Sequence, residues 1–178
     1  MKILVLSDSH RNVEILTEVL GAVSKDISCV FFLGDCYEDI MPAKDIHAHI
    51  VFYAVRGNCD FGFGNPDEGF VTISGANILF CHGHKYGVKH SLDRLLEAGI
   101  DREADVCLYG HTHCPEIMRK NGVLLFNPGS ISFPKHSPNP SYGILTIENG
   151  LISASVIERY DIGKFRLLYS ESYTHPEG

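Results

Sequence analysis

The sequence predicts an α/β fold, a mixed two-sheet β-sandwich flanked by helices. Three observations carry that reading. Roughly the first 60 residues alternate short apolar runs with helical spacing, the pattern of parallel strands and covering helices. The second half is rich in apolar runs separated by Asn121-Gly122 and Asn149-Gly150, dipeptides that mark tight hairpins. Apolar runs also end repeatedly in a glycine beside Asp, Asn or His, and strand ends of this kind gather on one edge of an open sheet, where ligands bind.

The elements follow in order. Residues 2–7 form a short, apolar, buried strand. Asn12 is an N-cap for a helix carried by Ile15, Leu16, Val19, Leu20 and Val23. Residues 29–33 are a second buried strand ending at Gly34-Asp35, and residues 50–55 a third ending at Gly57-Asn58. Between them, residues 38–49 read as a short helix interrupted near Pro42. Residues 61–67 are a loop by composition. Strands are expected at 70–73, 78–81, 105–109, 117–119, 123–126, 143–147 and 152–158, with a helix marked by Val88, Leu92, Leu95, Leu96 and Ile100. One domain spanning 1–178 suits the length, with 172–178 a frayed polar tail.

Bulk properties narrow the function classes. A net charge of −7 argues against bulk nucleic-acid binding, yet leaves nucleotide-sized substrates open, because bound divalent ions reverse the local sign. There is no apolar run of transmembrane length, and the brief apolar start runs straight into Asp8, unlike a secretory signal. A cytoplasmic protein without a membrane partner is expected. Six cysteines lack CxxC spacing, and Cys29, Cys81 and Cys107 fall inside apolar runs, as buried free thiols do.

The chemistry concentrates in five stretches: Asp8-Ser9-His10, Gly34-Asp35, Gly57-Asn58-Cys59-Asp60, His82-Gly83-His84 and Gly110-His111-Thr112-His113. If the first strand persists, Asp8 and His10 point the same way and reach one metal. A carboxylate at Asp35 can bridge two cations, Asn58 offers an amide oxygen, and His82, His111 and His113 offer imidazoles. The pair His111/His113 can serve one ion or two. Nitrogen and oxygen donors without thiolates suit hard or borderline divalent ions. Any one stretch is a common accident; the five together point to a two-metal hydrolase.

These stretches resemble the signature blocks of the calcineurin-like metallophosphoesterases. The chain length, Cys59 within Gly57-Asn58-Cys59-Asp60, and Asn127-Pro128-Gly129-Ser130 resemble the small bacterial and archaeal phosphodiesterase branch. The resemblance implies a four-layer fold and a centre of two divalent ions. Asp8, His10, Asp35 and His113 would hold one ion, and Asp35, Asn58, His82 and His111 the other. It implies hydrolysis of small phosphodiesters by a metal-bridging hydroxide, with Mn²⁺ as the activating ion and Ni²⁺, Co²⁺, Fe or Zn²⁺ compatible with the same donors. His84 would face the phosphate, and Asp60 would orient the neighbouring block. Cys59 stands where many relatives carry a His, so a catalytic part for it is in question. A phosphomonoesterase or nucleotidase with the same centre, and a protein-binding scaffold like the retromer subunit, are the alternatives.

The remaining features weigh less. Arg56 fits a phosphate contact or a structural ion pair, and Lys85 and Lys135 lie near the blocks. Phe61, Phe63 and Tyr86 suit either stacking on a substrate ring or packing. Cys36 and Cys114 follow proposed ligands but read as inward-facing, and His47, His49, His90, His136 and His175 as surface residues. Phe165, Leu167 and Leu168 suit either a self-association patch, and so a homo-oligomer, or a strand packed at home.

Overall fold

The computed structural model describes residues 1–61 and 64–174. Two sheets pack face to face. The six-stranded sheet runs β11-β10-β9-β1-β2-β3, with β1 (Lys2–Leu6), β2 (Cys29–Phe32), β3 (Val51–Ala54), β9 (Ser141–Glu148), β10 (Leu151–Asp161) and β11 (Lys164–Thr174). The five-stranded sheet runs β4-β5-β6-β8-β7, with β4 (Glu68–Ile73), β5 (Ala76–Cys81), β6 (Val106–Leu108), β7 (Pro115–Lys120) and β8 (Val123–Pro128). Helices α1 (Val13–Val23), α2 (Met41–Ile46) and α3 (Asp93–Asp101) complete the regular structure, with single 3-10 turns at Tyr37–Ile40 and His84–Tyr86. The predicted mixed sandwich with outer helices is the architecture found.

Strand alternation explains the layers. In β1, Ile3 and Val5 enter the core between the sheets, while Leu4 and Leu6 pack on the other face with Leu16, Val19 and Leu20 of α1. In β6, Val106 and Leu108 face the inter-sheet core, and Cys107 joins Leu95 and Leu96 of α3 outside. Runs buried on both faces read as continuous apolar stretches, which is why β1, β2 and β6 are legible. Cys29, Cys81 and Cys107 are free and buried, as expected. No helix among the described residues is long and apolar enough to cross a membrane.

Strands β1, β2 and β3 are mutually parallel, as are β5, β6 and β8. Their carboxyl ends therefore deliver the loops after residues 6, 32, 54, 81, 108 and 128 to one edge of the sandwich. Asn121 and Asn149 have φ of 51° and 50°, followed by Gly122 at 86° and Gly150 at 74°. Both positive angles are those of the tight hairpin turn their sequence predicts.

Four expectations change. Residues 172–174 are not frayed: they are the end of β11, and Tyr173 is buried and donates its hydroxyl to Asp105 O at 2.9 Å. Residues 175–178, with His175, lie outside the described residues, as does Phe63. The helix marked from Val88 begins only at Asp93, because His84–Tyr86 form a 3-10 turn closed by Gly87 at φ 70°. Asn127 and Pro128 end a strand rather than make a turn. Phe165 packs against the α1-side core, while Leu167 and Leu168 stay exposed.

Candidate metal centre

Asp8 follows β1 and Asp35 follows β2, with Asp8 N–H donating to Gly34 O at 3.0 Å and His10 N–H to Asp35 O at 3.4 Å. The expectation that Asp8 and His10 share a face of a persisting strand does not hold. The strand stops at Leu6, and Asp8, His10 and Arg11 take φ of 56°, 46° and 69°. Asp35, His111 and His113 are also left-handed, at 61°, 67° and 61°. Each such residue costs about 1–3 kcal/mol and persists only where the surroundings over-determine it. The convergence of the side chains is thus enforced by tertiary contacts.

Those contacts are specific. Ser7 Oγ donates to Asp8 Oδ2 at 2.6 Å, and His111 N–H donates to the same oxygen at 3.2 Å. Ser130 Oγ donates to Asp8 O at 2.8 Å. Ser9 Oγ and the Arg11 N–H both donate to Asp39, at 2.6 and 2.8 Å. Buried Asn127 donates to Gly110 O and Thr112 Oγ1, each at 3.0 Å, and so fixes the loop that carries His111. Asp60 collects three backbone N–H groups, from Asp35, Tyr37 and Gly57, at 3.1, 2.7 and 2.6 Å. Ser7, Ser9, Asp39 and Ser130 escaped the sequence reading; only the adjacency of Ser7 to Asp8, and of Ser130 to the Asn127 turn motif, signalled them.

Two sets of donor atoms result. In the first, one ligand atom each from Asp8, His10, Asp35 and His113 lies within 4.8 Å of the others. His113 Nε2 is 3.1 Å from Asp8 Oδ1 and 3.3 Å from His10 Nε2, and His10 Nε2 is 3.6 Å from Asp35 Oδ2. In the second, His82 Nε2 lies 3.4 Å from Asp35 Oδ1, 3.2 Å from Asn58 Oδ1 and 3.1 Å from His111 Nδ1. The two oxygens of Asp35 thus face different sets, and His111 and His113 divide between them.

The electrostatics fit cations. Nδ1 of His82 is 2.7 Å from Leu33 O, and Nδ1 of His113 is 2.7 Å from Phe133 O. A carbonyl only accepts, so both rings carry their proton on Nδ1 and present Nε2 lone pairs inward. Asp8 Oδ1 is buried with no hydrogen-bond partner although His113 Nε2 lies beside it. Two facing acceptors repel unless a positive charge sits against both, so the donor set fits a divalent ion. Burial works against the Asp8 carboxylate, but His113, His82 and Ser7 outweigh it and its pKa falls. The Asp8 carboxylate in turn raises His113 against the opposing effect of burial. Burial, then His82, pulls His111 down to about 4, keeping it a neutral donor.

A model of the calcineurin-like phosphoesterase superfamily domain matches residues 1–150. The chain belongs to this superfamily. A probable metallophosphoesterase, YsnB of Bacillus subtilis, is 35% identical over 90% of this chain and 91% of its own. The phosphodiesterase YfcE of Escherichia coli K12 is 30% identical, covering 91% and 95%. The solved structure of a conserved uncharacterised protein (predicted phosphoesterase) from Streptococcus pneumoniae TIGR4 superposes with a TM-score of 0.82 at 27% identity, covering 98% and 97%. A Vps29 structure from Entamoeba histolytica, at TM-score 0.80 and 23% identity over 98% and 100%, shares the fold.

This phosphoesterase therefore carries an Asp/His cluster suited to divalent metal, on the predicted fold and in the predicted family. The rim residues sort differently. Arg56 holds Asp67 at 2.5 Å, the structural ion pair rather than the phosphate contact, and Lys85 binds the same carboxylate. Lys135 donates its N–H to His113 O at 3.0 Å. Tyr86 donates its hydroxyl to Glu68 at 2.5 Å and packs beside the α3 core, whereas Phe61 stands 96% exposed. His84 lies beside the centre, its ring 5.3 Å from His82 and 6.1 Å from His111, with Nδ1 buried and unpartnered. Burial lowers its pKa, so a neutral imidazole is expected. Cys59 sits at the lip, where desolvation and the Asp35 carboxylate push its thiol up to about 11.

Proposed function

We propose that this phosphoesterase hydrolyses small phosphodiesters with two divalent ions, Mn²⁺ foremost. Asp8, His10, Asp35 and His113 hold one, and Asp35, Asn58, His82 and His111 the other. The observation that carries the reading is the division of Asp35, with Oδ2 3.6 Å from His10 Nε2 and Oδ1 3.4 Å from His82 Nε2. When bound, such ions supply Lewis-acid activation of water and of the phosphoryl group. The protein's own residues do the rest. Leu33 O and Phe133 O aim two imidazoles, Asp60 clamps the loops of Asp35 and Gly57 together, and Asn58 adds a neutral oxygen that leaves the site net positive toward an anionic ester. His84 offers a neutral imidazole to a phosphate oxygen or to the leaving oxygen.

Support for a diester comes from the printed activity of YfcE. Retention of all seven donors supports an enzyme over a scaffold. The test is turnover of a chromogenic aryl phosphodiester and its matching monoester by metal-stripped protein, before and after Mn²⁺. Mn²⁺-restored diester hydrolysis with slow monoester hydrolysis is expected. Preference for the monoester would move the reading to a phosphomonoesterase. Failure of both esters, with Ni²⁺ and Co²⁺ also inactive, would end the hydrolase reading.

Cys59 is expected to contribute little. A thiol raised to about 11 is neutral at pH 7 and a weak hydrogen-bond donor. Cys59→Ala should therefore keep kcat/KM within about tenfold, since a modest hydrogen bond is worth about 1 kcal/mol. A drop beyond about 100-fold would make Cys59 a proton donor in the reaction instead.

A further inference from the structure

Beside the metal cluster lies a cavity of about 220 Å³, lined by Arg11, Cys36, Tyr37, Cys59, Phe61 and Asn65. Three of these directly follow proposed ligands: Arg11 follows His10, Cys36 follows Asp35, and Cys59 follows Asn58. The Cys59 N–H donates to Asp35 Oδ1 at 2.9 Å, so cavity and centre share a wall. The volume falls below the roughly 300–1,000 Å³ of pockets that enclose whole small ligands. It suits one substituent of a molecule whose phosphate is held next door.

The lining has a definite chemistry. Arg56, Arg102, Arg159 and Arg166 each hold a carboxylate, whereas Arg11 enters no ion pair among the described residues. Of the cavity's carboxylates, Asp60 is committed to three backbone N–H groups and Asp39 to Ser9 and the Arg11 N–H, and Glu38 points its charge to solvent. The Arg11 guanidinium thus remains available at a site that handles anions. Phe61 leaves its ring 96% exposed at the same cavity, where it adds nothing to the core, and Tyr37 supplies a second ring. Aromatic faces gain by covering a planar ring, and a guanidinium gains by gripping a phosphate or carboxylate.

We propose that this cavity is a specificity subsite for the substituent on the scissile phosphate, selecting a planar ring that carries or adjoins an anionic group of its own. The ring lies against Phe61 and Tyr37, and the anion binds Arg11. The inference rests on the phosphoesterase reading of the adjacent centre.

Three diesters that share a p-nitrophenolate leaving group test it on the Mn²⁺-loaded protein: the methyl ester, the phenyl ester, and thymidine 3′-phosphate 5′-(p-nitrophenyl phosphate). The unmodified protein is expected to show rising kcat/KM along that series. Arg11→Gln should lower the ratio of the thymidine bisphosphate ester to the methyl ester by about tenfold or more, through KM, as loss of a charge-assisted hydrogen bond does. Phe61→Ala, at a fully exposed position that folding does not need, should lower the ratio of phenyl to methyl ester. Equal losses on all three esters, or unchanged ratios in both variants, would overturn the subsite. Metal-dependent hydrolysis of the three at equal efficiency by the unmodified protein would also overturn it while leaving the phosphoesterase reading intact. Hydrolysis of none would remove both.

Discussion

Replacing Asp35 by Asn is expected to abolish phosphodiester hydrolysis and to halve the metal bound. The two oxygens of this one carboxylate face two donor sets, 3.6 Å from His10 Nε2 and 3.4 Å from His82 Nε2. An amide keeps the shape and can still accept the Cys59 N–H through its oxygen, as Oδ1 now does at 2.9 Å. It loses the charge and turns an NH₂ toward one of the two sets. Metal charge stabilisation is worth several kcal/mol of transition-state energy, so kcat/KM should fall about a thousandfold or more. Elemental analysis after dialysis should find two divalent ions per unmodified chain and fewer in Asp35→Asn. The variant should fold, because removing one carboxylate from a cluster that already holds Asp8 relieves like-charge repulsion. Full metal content with undiminished turnover would refute the shared role of Asp35. Two ions retained with lost turnover would mean that Asp35 acts on substrate rather than on metal.

That site was legible in the sequence by residue type but not by geometry. Asp8, His10, Asp35, Asn58, His82, His111 and His113 all come together, since short polar residues after fully buried strands can only sit at the sheet edge. How they come together was not readable. The reading assumed an extended Asp8-Ser9-His10, whereas both ligands adopt left-handed backbone conformations that no local preference of Asp or His dictates. Ser9 and Asp39 stayed hidden because their pairing spans 30 residues and each alone looks like an ordinary loop residue. The hairpins at Asn121-Gly122 and Asn149-Gly150 were legible because the turn's positive φ values leave few other residue choices. Strand β11 was not, because most of it is exposed and it lacks the alternation by which a half-buried strand announces itself.

The glycines beside the ligands are also accounted for, by space more than by turn chemistry, and this leads to the second large effect. A Cβ on Gly57 would lie 2.0 Å from Asp35 Oδ1 and 2.5 Å from the Asp35 backbone nitrogen. The side-chain oxygen could swing away; the backbone nitrogen could not without moving the loop that Asp60 ties to Gly57 through its 2.6 Å hydrogen bond. Gly57→Ala is therefore expected to displace the shared carboxylate by a large fraction of an ångström. Misplacement of about 1 Å at a reacting centre costs about 100-fold in rate, and weaker metal binding should add to that. The expected result is a loss of at least about 100-fold in kcat/KM, partly recovered at high Mn²⁺ concentration as mass action restores occupancy. A Gly57→Ala protein with normal turnover and metal affinity would show that the loop yields easily, and that Asp35 is held by something other than close packing against Gly57. Loss of folding would instead be seen as a collapsed melting transition without metal. In that case Gly21→Ala, whose added Cβ meets nothing within 4 Å, provides the control that a glycine-to-alanine change is harmless elsewhere in the chain. The contrast between the two substitutions isolates the close approach of the Gly57 and Asp35 loops as the feature that sets the spacing of the donors.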